Sequence, residues 1–304
     1  MQSKEPKIHT PKEPKIHAPK EPKFHIFRPF PHPRFHISRQ HSAPTFHTKP
    51  AKIQDLAEFL MDYTLTMLSV GTYTSRVEKC AKRIGEAFGY EVYVSILSRS
   101  INISVLAHDD YANSKTFVRA YSEGAIDFNK IALLSALSWH AYDDKITFKS
   151  LKNHYEKIKN KGRGGFFTSL ILSSLAFAAF CKLFGGDFGA VGIIFVSTFM
   201  GVLLRHFLGK LKTDTRLIFV LCAFGASMIA YVCGTIKGLT NTPDVAIASS
   251  VLFLIPGIYL INGVIDILDG HSLNGLARLM RVTILISCIA VGLYATLSIS
   301  NIRM

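Results

Sequence analysis

Glutamate is absent from residues 164 to 304, a stretch that holds only five Asp beside nine Lys or Arg. No pair of the five cysteines (Cys80, Cys181, Cys222, Cys233, Cys288) has CxxC spacing, and four of them lie in apolar runs. That excludes a disulfide framework or a thiolate zinc site and implies buried, reduced thiols. The N-terminus has no apolar core of signal-peptide type, so what precedes the first span is expected to stay in the cytosol. GxxxxGK[ST], HExxH, GxSxG and paired-carboxylate patterns are all missing, which argues against ATP hydrolysis, against an enzyme and against any cofactor.

What is present falls into three blocks. Half of the net charge of +14 sits in residues 1 to 50, where ten Lys or Arg face three Glu. Here "KEPKIHTP" from Lys4, "KEPKIHAP" from Lys12 and "KEPKFHIF" from Lys20 repeat with period eight. Recurrent proline blocks helix and sheet ladders alike, so a disordered basic tail is predicted. Its seven His (His9, His17, His25, His32, His36, His41, His47) have no recurring ligand spacing, and no metal site is expected. Anionic lipid or an acidic partner is the natural contact for the tail, and nucleic-acid binding is not expected.

Residues 51 to 160 read as a cytosolic α+β domain. "DLAEFLMDYTLTMLSVG" and "TSRVEKCAKRIGEAFG" predict amphipathic helices ended by Gly, with Val77, Ala81, Ile84 and Phe88 on one face of the second. "EVYVSILS" and "SINISVLA" alternate with period two about Arg99-Ser100, and "KTFVRAY" predicts a third strand. Two helices then start near Asp127 and Thr147, the first with Ile131, Leu134 and Ala141 on its apolar side, the second with Phe148, Leu151, Tyr155 and Ile158.

From Gly164 the pattern becomes long apolar segments, at about 164–184, 187–208, 215–236, 245–266 and 277–298. Each meets the roughly 20 residues that a bilayer-crossing helix needs, so a five-helix transmembrane domain over 164–300 is predicted. Lys157, Lys159, Lys161, Arg163, Arg205, Lys210, Lys212, Arg216, Arg278 and Arg281 flank one side; Lys182, Lys237 and Arg303 flank the other. This bias puts the N-terminus in the cytosol and the C-terminus outside. With an odd number of spans, a similar second half would insert upside down, the geometry of an inverted-repeat transporter.

Asp187, Asp214 and Asp244 stand at predicted span starts, where capping explains them. Gly185 with Gly189, Ser197 with Gly201 and Ala230 with Gly234 imply close helix packing. The fourth span, "LFLIPGIYLINGVIDILDG", differs. Pro256 cannot donate to the Leu252 carbonyl, which leaves an acceptor for a neighbouring helix or a wet cavity to satisfy. Tyr259, Asn262 and Asp266 fall on one face, the last two about 6 Å apart along the axis. They form a candidate path for substrate or proton, although Asp266 is expected near the cytosolic edge, where a carboxylate costs less.

The stretch "LIPGIYLINGVIDILDGHSLNGLARL" resembles the Pro-Gly…Asn…Asp…Gly…Gly…Arg signature of the threonine/serine exporter family, and "GTYTSRVEKCAKRIGEAFGYEVYVSILSRSINISV" looks like its N-terminal segment. The similarity runs from residue 53 to 298 and leaves out the tail. It implies a secondary exporter of the cytoplasmic membrane, and this chain looks like the first half of the split type, acting with a second multi-span membrane subunit. The cargo so implied is a small polar metabolite, threonine and serine or a dicarboxylate such as succinate. Pro256, Gly257, Asn262, Asp266, Gly275 and Arg278 fall on motif positions, with Gly71 and Arg76 on the soluble-domain motif. Thr72 and Thr74 depart from the residues many members carry there. The leading expectation is half of a proton-coupled exporter in which Asp266 takes a proton or contacts substrate, Asn262 and Tyr259 are polar contacts, Pro256-Gly257 is the helix break and Arg278 is a charge partner. The alternative is a membrane-anchored regulatory or scaffold protein whose cytosolic domain binds a ligand or partner.

Overall fold

A computed structural model describes residues 52–300 of the chain, apart from 98, 108, 109, 123, 163 and 212. The basic tail, Arg163, Lys212 and Arg303 lie outside the described residues. The structure is mostly helical, with one small sheet near its N-terminal end.

Helices α1 (Ile53–Ser69) and α2 (Thr74–Ala87) lead into strands β1 (Tyr90–Leu97), β2 (Ser100–Ala107) and β3 (Asp110–Ala120), followed by α3 (Phe128–Asp143) and α4 (Phe148–Lys159). The strands form an antiparallel meander in the order β1-β2-β3. Val92 pairs with Val105, Val94 with Ile103 and Ile96 with Ile101, so the alternating residues meet on one face and cover the helices. All four residues of the α2 face are buried, together with Leu56, Leu60 and Met67 of α1, Leu134 of α3 and Leu151 of α4. Asp127 and Thr147 cap α3 and α4 by accepting from Lys130 N and Ser150 N. Strand β3 begins earlier than "KTFVRAY" predicts.

The apolar half comprises α5 (Phe166–Leu183), α6 (Phe188–Lys210), α7 (Thr215–Gly234), α8 (Pro243–Ser249), α9 (Gly257–Leu268) and α10 (Ser272–Ser300). By length and composition α5, α6, α7 and α10 can each cross a membrane. The fourth apolar segment is divided: α8 with a 3-10 turn at Leu252–Leu254, then α9, bent by 58°. Counting that bent pair as one span gives five. Large apolar side chains such as Leu172, Phe207, Leu221, Leu268 and Val291 point outward from the bundle, an arrangement that water penalises and a bilayer or a second apolar subunit accommodates.

Inside the bundle, small residues let backbones approach. A Cβ on Gly201 would meet the Phe253 ring at 2.4 Å, and one on Gly292 would meet the Val220 carbonyl at 2.5 Å. Hydroxyls bridge the helices: Ser197 Oγ donates to Ala226 O at 2.7 Å, and Ser227 Oγ lies 2.7 Å from Thr296 Oγ1. Asp187 caps α6 through Ala190 N and also ties down the α7–α8 loop through Asn241 N and Thr240 Oγ1. These bonds, led by that from Asn241, pull its carboxyl down to about 2. Asp214 caps α7 through Arg216 N, whereas Asp244 sits within the first turn of α8, behind Pro243, and complements the dipole without being the cap.

The break itself resolves differently from the expectation for Pro256. The Leu252 carbonyl is taken by Ile255 N at 3.1 Å, because the chain tightens into the 3-10 turn before the proline. No other helix is needed at that atom. Beyond the break, α9 lies against α10 through two glycines. A Cβ on Gly275 would fall 2.6 Å from Gly263 O and 2.5 Å from Ile267 Cγ1. Gly275→Val is therefore expected to push α9 off α10 and destabilise the protein by about 1–3 kcal/mol, as overpacking does, read as a fall of several degrees in the unfolding temperature of the detergent-purified protein; an unchanged value would contradict this packing.

Candidate functional site: a latch on the broken helix, and the cavity beside it

The sequence between α1 and α2 is Val70-Gly71-Thr72-Tyr73. Gly71 has φ +88°, a conformation that side chains with a Cβ resist, and it turns the chain so that the carbonyls of residues 71 and 72 point away from the α1–α4 core. Tyr73 precedes α2 with no side-chain cap, so the first amides of α2 open without a local acceptor.

That acceptor is Asp266, 192 residues further along the chain. Its Oδ1 receives Thr74 N at 2.8 Å and its Oδ2 receives Thr74 Oγ1 at 3.1 Å. A carboxylate at this point meets both the unpaired N–H and the positive end of the α2 dipole. Arg278, on α10, brings Nη1 to 3.0 Å from Asp266 Oδ2 and donates from Nη2 to Thr72 O at 3.2 Å. Asn262, one turn before Asp266, donates to Gly71 O at 2.9 Å. Asn274 donates to Ile96 O at 2.7 Å, Ser75 Oγ to Asp269, and Tyr259 OH to Gly124 O at 3.3 Å. At the outer edge His271 Nε2 lies 3.4 Å from Glu78 Oε2.

The polar stripe of α9 thus faces the helix–sheet region, with each of its three side chains bonded there. Asp266 is fully buried, and Arg278 is 7% exposed. Solvent does not stabilise this charge: it is tolerated because an arginine, a backbone amide and a hydroxyl surround it. Arg76 plays an internal part, donating from Nε and Nη2 to Ser135 Oγ at 3.3 and 3.2 Å and so holding α2 on α3. Thr74, Ser75, Asn274 and His271 were not singled out from the sequence as site residues. The signal for Asn274 lay within the same "GHSLNGLAR" stretch, and that for Thr74 in its departure from the common motif residue.

Beside the latch is a cavity of about 1210 Å³. Its wall runs from Arg99 in the β1–β2 turn and Tyr121, across Arg205 of α6 and Arg216 and Phe219 of α7, to the break at Phe253–Tyr259 and to Arg278, Arg281 and Leu285 of α10. Of the path residues expected from sequence, Pro256, Gly257, Tyr259 and Arg278 line it, while Asn262 and Asp266 belong to the latch alone. Gly71 and Arg76 do not line it either.

Removing one member of a buried ion pair leaves the other charge unpaired, at a cost of about 3–5 kcal/mol. Asp266→Ala and Arg278→Gln are each expected to lower the stability of the purified protein on that scale, and the double variant to cost clearly less than the sum of the two. Denaturant unfolding followed by circular dichroism checks this, and strict additivity would contradict a coupled pair.

Comparison with known proteins places this geometry in a family context. A family profile described as "Putative threonine/serine exporter" matches residues 58–300, a span that includes both sides of the latch. Among curated proteins, the "Probable succinate transporter subunit YjjP" of Escherichia coli (strain K12) is 26% identical over 239 residues, covering 79% of this chain and 92% of that protein. The protein of the same name from Klebsiella aerogenes matches to the same extent. No solved structure matches. With the profile spanning most of its length, the apolar helices and the signature around Pro256 and Asp266, the chain belongs to the threonine/serine exporter family.

Proposed function

We propose that the chain is one subunit of a secondary exporter that moves a small carboxylate or a small amino acid out across the bacterial cytoplasmic membrane, together with a second multi-span subunit. Family membership supports the exporter reading, and the relatives' printed names, which call them transporter subunits, support a partner. In this reading residues 51–160 form a cytosolic domain, residues 164–300 cross the bilayer five times with the α8–α9 pair as one broken span, and the C-terminus lies outside. The described cationic residues Lys157, Lys159, Lys161, Arg205, Lys210 and Arg216 fall near helix ends or in loops, and Arg278 and Arg281 lie in the first three turns of α10, in keeping with that orientation.

The observation that carries the proposal is the broken helix itself: its bend lines a large cavity, and its polar face is fastened to the cytosolic domain. Discontinuous helices of this kind form the moving or binding parts of secondary transporters. Asp266 then acts as the protonatable group of a gate. A proton on its carboxyl cancels the charge that holds Arg278 and the α2 N-terminus, so the latch loosens and α9 can rock about Pro256-Gly257. Asn262 and Tyr259 register the closed position, and Arg278 is the charge released on opening. The protein's part is transport of cargo without chemical change.

Efflux assays test this. The chain and its second subunit are produced in a bacterium lacking its own exporters for succinate, threonine and serine, and efflux is followed under imposed pH gradients. Wild type is expected to export at least one of these solutes faster when the gradient favours proton entry; Asp266→Asn, at equal membrane levels, is expected to lose about tenfold or more of that rate and its dependence on the gradient. Export by Asp266→Asn and Asn262→Ala variants at the wild-type rate would overturn the assignment.

A further inference from the structure

The latch employs one arginine, yet among the described residues five guanidinium groups line the cavity: Arg99, Arg205, Arg216, Arg278 and Arg281. Against them the described residues of the lining offer a single carboxylate, Asp214, which is already capping α7 through Arg216 N. Among the described residues, the side chains of Arg99, Arg205 and Arg216 meet no carboxylate and no hydrogen-bond acceptor; Arg205 lies 5.2 Å over the Phe219 ring. They come from three separate elements, the β1–β2 turn, the end of α6 and the start of α7, so no local sequence pattern accounts for their convergence.

We infer that this cavity is an entry site for a small organic dianion bearing two carboxylates, gathered by Arg99, Arg205 and Arg216 at the mouth of the helix break. Each guanidinium can take a carboxylate bidentately, and arginines from separate elements can hold the two ends of one molecule. Field lines from one sign of charge concentrate in a concave, low-dielectric wall, raising the local concentration of an anion. A zwitterionic amino acid gains little here, because its ammonium group is repelled by the same arginines that attract its carboxylate. The volume exceeds the roughly 300–1,000 Å³ of an ordinary ligand pocket, which suits a vestibule that takes cargo with part of its water still attached. The break, Pro256 and Gly257, lines the same vestibule, so captured cargo waits against the element that the latch restrains.

The inference deepens the exporter reading and rests on it only for calling the bound dianion cargo. The anionic group of a lipid has the same chemistry as the ligand, and the test separates the two. The purified chain in nanodiscs of phosphatidylcholine, and in nanodiscs with added phosphatidylglycerol, is titrated calorimetrically with succinate, with threonine and with the monomethyl ester of succinate. Succinate is expected to bind at least tenfold more tightly than either of the others, in both lipid settings. Arg99→Gln with Arg216→Gln is expected to weaken it by about tenfold or more, while Lys237→Gln, on the far side, leaves it unchanged. Equal affinity for threonine and succinate, no binding of succinate, or binding abolished by phosphatidylglycerol would each overturn the inference, the last by assigning the arginines to lipid. Export without succinate binding sinks this inference and spares the exporter reading; succinate binding without export does the reverse.

Discussion

Asp266 closes the N-terminus of α2 from the opposite half of the chain, and much of the rest of the structure follows from that one contact. Helix α2 has no cap of its own. Its first amide, the Thr74 hydroxyl and the Arg278 guanidinium all converge on one fully buried carboxylate. In such a setting the choice is steep: complete pairing makes the group tolerable, and partial pairing is worse than an apolar residue. The helix–sheet region and the broken helix are therefore coupled through this one contact, on which the proposed gate rests.

The surroundings reinforce this reading. Gly71 presents its carbonyl to Asn262 only because its backbone adopts a positive φ, and Gly275 lets α10 approach α9 closely enough for Arg278 to reach across to Asp266. The 3-10 turn before Pro256 satisfies the Leu252 carbonyl locally, so the bend is stable without help from another helix. Stability is thus concentrated at the two sides of the bend, while the cavity between them is open and cationic.

Much of this was legible in the sequence. Period-two alternation located β1 and β2, Gly-terminated amphipathic patterns located α1 and α2, and Asp127 and Thr147 marked the starts of α3 and α4. The apolar segments and the break at Pro256-Gly257 followed from length and from proline's missing donor. The stripe of Tyr259, Asn262 and Asp266 was visible too, but its direction was not. Periodicity says which residues share a face, and only the tertiary fold says what that face meets. Thr74 and Asn274 escaped notice for the same reason, since each acts by contact with a residue about 200 positions away. Helix α10 starts earlier than its apolar run because its first two turns are anchored by polar bonding through the buried Asn274 and Arg278 instead of by hydrophobicity.

The most direct measurement of the central claim is amide hydrogen exchange along α2, compared between wild type and Asp266→Ala. A charge-assisted bond contributes about 1.5–3 kcal/mol, so exchange at Thr74–Val77 should quicken by roughly tenfold to a hundredfold while α3 and α4 keep their protection. Unchanged exchange at the start of α2, or loosening spread evenly over α1 to α4, would contradict the account.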